Sequence, residues 1–100
     1  MSMPQPVSAM PSLLVLPEEL THLEADACLP MLVQALPSQG VAARVDAGAL
    51  TRFDSSTLAV LLEFRKACVA AGKALELLNL SPRLAELARL YGVNDLLGIA

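Results

Sequence analysis

Three short strand-like segments alternating with three helix-like segments predict an α/β domain, with a central, mostly parallel sheet of about four strands and helices packed on it. Two observations carry this. Short aliphatic runs give way repeatedly to stretches with helical periodicity. The apolar content, 55% of the chain, is aliphatic, with only Phe53, Phe64 and Tyr91 aromatic. One hundred residues suffice for one core and are too few for two. The expected organisation is a disordered tail over residues 1–12 and one domain over residues 13–100.

Leu13-Leu14-Val15-Leu16, ended by Pro17, reads as the first strand. Thr21 and Glu24 form a capping box for a helix from His22 to about Leu36. Pro30 lies inside it and is expected to kink or divide it. A loop follows at Pro37-Ser38-Gln39-Gly40. Val41, Ala43 and Val45 alternate with Ala42, Arg44 and Asp46, which marks a second strand. Ala47 to Phe53 leads into Asp54-Ser55-Ser56-Thr57 and a long helix closed by Gly72. Leu58, Leu61, Leu62, Cys68 and Val69 form its main apolar stripe. Val60, Phe64, Ala67 and Ala71 form a second stripe, either core or an exposed interface. Ala74-Leu75-Glu76-Leu77-Leu78 is the third strand. Ser81-Pro82 opens the last helix, whose face carries Leu84, Leu87, Ala88 and Tyr91. Leu96 to Ile99 is a possible final strand or extended tail.

The net charge is −3 and the seven basic residues are scattered, which argues against a nucleic-acid partner. Cys28 and Cys68 sit in apolar helical patterns without a CxxC spacing or a nearby histidine, which argues against zinc. Two thiols suit a reducing cytosol, and a disulfide between them stays open. No cofactor is expected. No run approaches the roughly 18 apolar residues that span a bilayer, so no direct membrane insertion is expected. Residues 1–11 have three prolines and no basic residue, unlike a signal peptide. The chain has no GxxxxGK[ST] phosphate loop. Asp54 has no histidine or second acid placed beside it in sequence to make it catalytic, and the lone His22 makes no metal site.

Several features in order resemble the STAS family. They are the strand ending at Val45, Asp54-Ser55-Ser56-Thr57-Leu58, the helix closed by Gly72, Leu75-Glu76-Leu77-Leu78-Asn79-Leu80-Ser81-Pro82, and Leu87-Ala88-Arg89-Leu90-Tyr91-Gly92-Val93. That family includes anti-sigma factor antagonists and the small STAS subunit of the Mla phospholipid-transport system. The resemblance implies a non-catalytic module whose Asp-Ser turn opens a helix and faces a partner. Ser55 falls at the position phosphorylated in the switchable antagonists. The family often has Gly where this chain has Thr57, which puts a phosphorylation switch in doubt.

The Leu-Ala-Arg-Leu-Tyr run resembles the Mla subunit more closely. The implied function is docking on the cytoplasmic ATPase of a phospholipid-transport ABC complex that maintains outer-membrane lipid asymmetry. The chain would then be cytoplasmic and peripheral to the inner membrane through that partner. The alternative is an anti-sigma factor antagonist switched at Ser55. Candidate contact residues are Asp54, Ser55, Ser56, Thr57, Val60, Phe64 and Tyr91. The bland role for Asp54, Ser55 and Ser56 is helix capping, and for Tyr91 the core edge.

Overall fold

The computed structural model describes residues 13–99; the tail expected over residues 1–12 lies outside them. β1 (Leu14–Val15) opens the described chain, followed by β2 (Glu19–Leu20) and α1 (His22–Ala35). A single 3-10 turn, Leu36–Ser38, occupies most of the expected loop. Then come β3 (Ala42–Asp46), β4 (Arg52–Phe53), α2 (Ser55–Ala70), β5 (Ala74–Leu78) and α3 (Pro82–Leu90). The strands divide into two parallel sheets, β1-β3-β5 and β2-β4, in place of one sheet of about four.

β3 is the middle strand, and its alternation sets the two faces of its sheet. Ala43 and Val45 are fully buried and pair in register with Leu75 and Leu77. The intervening Arg44 and Glu76 pair on the outer face, 3.2 Å apart and both exposed. Such an exposed pair contributes little, about 0.2–1 kcal/mol. Beside β1, the Gln39 side chain also bonds to the edge of β3. Leu16 N–H donates to Asp46 O at 3.0 Å on one edge of β3. Two residues back along that edge, Arg44 N–H donates instead to Gln39 Oε1 at 3.3 Å. Lys73 Nζ donates to the Leu36 and Gln39 carbonyls, tying the 3-10 turn to the start of β5.

β2 and β4 were not expected. Each has two residues, too few to show an alternating pattern. Their pairing is decided by distant contacts: Glu18 O accepts the N–H groups of Thr51 and Arg52 at 2.8 and 3.0 Å. Leu20 is thereby carried into the core.

The capping box of α1 forms as expected. Thr21 N–H donates to Glu24 Oε1 at 2.8 Å, and Leu23 N–H donates to Thr21 Oγ1 at 3.3 Å. Pro30 does not divide the helix, which runs unbroken from His22 to Ala35. Asp26 and Pro30 both lie on its exposed side, where the carbonyl that Pro30 leaves unpaired can take water. The opposite side buries Cys28 and Leu32.

α2 is the central element and packs against both α1 and β5. Cover on two sides explains its two apolar stripes. Leu58, Leu61 and Cys68 are buried, and so are Val60 and Phe64. The second stripe is therefore core at those two positions. Cys28 and Cys68 are free buried thiols, and burial pushes both thiol pKa values up, away from the reactive thiolate.

α3 begins as its Ser-Pro start requires, with Ser81 Oγ accepting Leu84 N–H at 3.2 Å. Gly92 follows it with φ +72°, a conformation that costs glycine little. The final segment is a run of turns and not a strand. Ile99 N–H donates to Asn94 O at 2.8 Å, and the turn buries Leu97 against the core.

Phe64 is 0% exposed and Val69, on the same helix, is 60% exposed. Phe64→Ala should lower unfolding stability by about 3–5 kcal/mol. Val69→Ala should change it by no more than roughly 0.5 kcal/mol. Urea unfolding followed by circular dichroism checks both.

Candidate functional site

The turn before α2 is organised by one carboxylate. Asp54 has extended backbone angles, φ −144° and ψ −165°, suited to an N-cap. Its Oδ1 accepts Ser56 N–H at 2.8 Å. Its Oδ2 accepts His22 N–H, the first residue of α1, at 3.3 Å, and lies 3.6 Å from His22 Nδ1. Asp54 therefore joins the starts of two helices, taking an otherwise unpaired N–H group from each. Partial burial pushes its carboxyl pKa up. The Ser56 and His22 N–H groups, with the His22 side chain, outweigh that and hold it below the usual aspartate value.

Because Asp54 caps the helix, neither serine needs to. Ser55 is the first residue of α2 and is exposed. Ser56 is half-buried and faces a different hollow, between α1 and α2, beside Ala25, Leu29 and Glu63. Thr57 corrects the expectation of a contact residue. It is 0% exposed, and its hydroxyl donates to the Leu20 carbonyl at the end of β2. Phe64 is likewise sealed in the core, and Val60, 4% exposed, packs in the core and shows only an edge in the hollow beside Ser56.

Of the seven candidates, Asp54, Ser55 and Tyr91 come together on one groove of about 510 Å³. Phe53, Asp54 and Ser55 line one side. Arg83, Glu86, Leu87, Leu90 and Tyr91 of α3 and its cap line the other. Arg83 lies over the Phe53 ring, with Cζ 5.6 Å from its centroid. That is within range of a cation–π contact. Leu90 is 80% exposed and Tyr91 56% exposed. Tyr91 is thus not core: it is the C-cap of α3, beyond the part of the helix that packs inward.

Sequence reasoning missed Phe53, Arg83, Glu86 and Leu90. Leu90 carried a signal, since it falls off the stripe of Leu84, Leu87 and Ala88 and has no inward side to join. Arg83 and Glu86 carried none, because charged residues on a helix surface are ordinary. The groove's titratable side chains are Asp54, Arg83, Glu86 and Tyr91, and His22 touches Asp54 as part of the helix cap. Among the described residues, no group of three or more His, Cys, Asp or Glu could hold a metal ion.

Parallel strands, three helices and an exposed helix-start turn beside a groove define a STAS-type α/β module. A family model described as "Mlab, STAS domain" matches residues 8–98, and the chain belongs to this MlaB-like family of STAS domains. A comparison with curated proteins gave no match.

Asp54→Asn tests the double cap. The folded Asp54 pKa is depressed, so its charge stabilises the fold above the ordinary value of about 4. That contribution disappears as pH falls through the lowered folded value. The variant should be less stable than wild type at pH 7, and the gap should close progressively below about pH 4. Urea midpoints across this range check it.

Proposed function

We propose that this chain is a non-catalytic STAS module that docks on the cytoplasmic ATPase of a phospholipid-transport ABC complex. It thereby supports transport that maintains outer-membrane lipid asymmetry. The observation that carries the reading is the groove at the α2 start, where Ser55, Leu90 and Tyr91 are exposed side by side on a rigidly capped frame. Exposed apolar side chains beside a fixed polar turn are the makings of a protein contact. Membership of the MlaB-like family supports a partner of this kind. Among the described residues no helix is long and apolar enough to cross a membrane. On this reading, the chain reaches the cytoplasmic side of the inner membrane through its partner.

Tagged protein should capture an ABC ATPase from its own cells. The double variant Leu90→Ala, Tyr91→Ala should weaken that capture at least roughly tenfold while leaving the thermal midpoint nearly unchanged, because both side chains are exposed. Failure of the wild type to retain any ABC ATPase would falsify the reading. The exposure of Ser55 favours one second reading, an anti-sigma factor antagonist switched at that hydroxyl. A phosphate adduct on Ser55 after incubation with a cognate kinase, seen by intact mass, would favour it instead.

A further inference from the structure

The groove carries its own charge arrangement, and that arrangement bears on what fills it. Its charged residues are Asp54, Glu86 and Arg83. Arg83 is drawn onto the domain's own Phe53 ring, so part of its attraction is already engaged. Glu86 is exposed on α3 and makes no ion pair among the described residues. The α2 helix start would by itself attract an anion, but Asp54 already sits on it as the cap. An acidic partner would meet two carboxylates against one stacked guanidinium. A basic one meets the exposed Glu86 and the Asp54 carboxylate, which caps the helices yet stays 40% exposed. Between these charges lie Leu87, half-buried, and Leu90 and Tyr91, exposed, which offer apolar area to one bulky side chain.

We propose that the groove accepts a partner segment combining a large apolar side chain with a flanking lysine or arginine. The apolar group rests on Leu87, Leu90 and Tyr91, and the cation meets Glu86 and Asp54. This rests on the docking reading for the identity of the partner, but the groove's preference can be measured without it. Opposite charges at the edge of a contact mainly set encounter rate and selectivity, while the apolar centre holds the complex.

Two amphipathic peptides, one of Leu and Lys and one of Leu and Glu, are titrated into the isotopically labelled full chain and followed by amide chemical shifts. The Leu/Lys peptide should move the signals of Ser55, Glu86 and Leu90, and the Leu/Glu peptide should leave them in place. In parallel, Glu86→Lys should weaken ATPase capture roughly threefold to tenfold and reduce its sensitivity to salt, with Glu86→Gln between it and wild type. Equal response to both peptides, response to neither, or a stronger response to Leu/Glu overturns the inference. So does unchanged ATPase binding by Glu86→Lys, an outcome that leaves the docking reading standing. If no ATPase is captured but the peptide preference holds, the docking reading falls and the charge preference remains.

Discussion

The Asp54 carboxylate holds one end of this molecule together. α1 begins at His22 and α2 at Ser55, far apart in sequence, and each needs acceptors for its first N–H groups. A single side chain serves both, with one oxygen turned to Ser56 and the other to His22. Thr57 adds a second tie three residues on, from inside the core to the Leu20 carbonyl. The turn between these residues is thus fixed from both sides. Ser55 stands out from it toward solvent because its neighbours perform all the structural tasks. A contact residue on such a frame binds with little ordering to offset.

That division of labour explains the Thr57 departure from the Gly frequent in the family. A threonine here is a buried hydrogen-bonding core residue joining α2 to the small β2-β4 sheet. It leaves the exposed part of the turn to Ser55 alone. The same logic holds along α2. Packed between α1 and β5, the helix keeps one side open through Ala59, Glu63, Lys66 and Val69, and its start opens onto the groove. α3 forms the other side of that groove with Glu86, Leu87, Leu90 and Tyr91.

The main elements were legible because each has a strong local cause. The Thr21–Glu24 box starts α1, Ser81-Pro82 starts α3, and the alternation of Ala42 to Asp46 makes β3, with Val41 left exposed outside it. β2 and β4 were invisible because two residues carry no period, and the last turn around Leu97 was misread because a short apolar run fits strand and turn equally. In the site, Asp54 and Ser55 were legible as a helix start. Thr57 reads as a contact residue and is buried, and the Val60–Phe64 stripe stays open between core and interface, since periodicity reveals that a helix has two apolar stripes but not whether both are covered.

The sequence by itself determined that the chain forms an α/β domain with Asp54-Ser55-Ser56-Thr57 opening its longest helix. Local hydrogen-bonding chemistry and side-chain periodicity suffice for that. Only the tertiary structure decided which residues of that turn face outward. Burial depends on what packs against a residue from elsewhere in the chain. Here α1, β2 and β5 cover Thr57, Val60 and Phe64, while α3 brings Leu90 and Tyr91 beside Ser55.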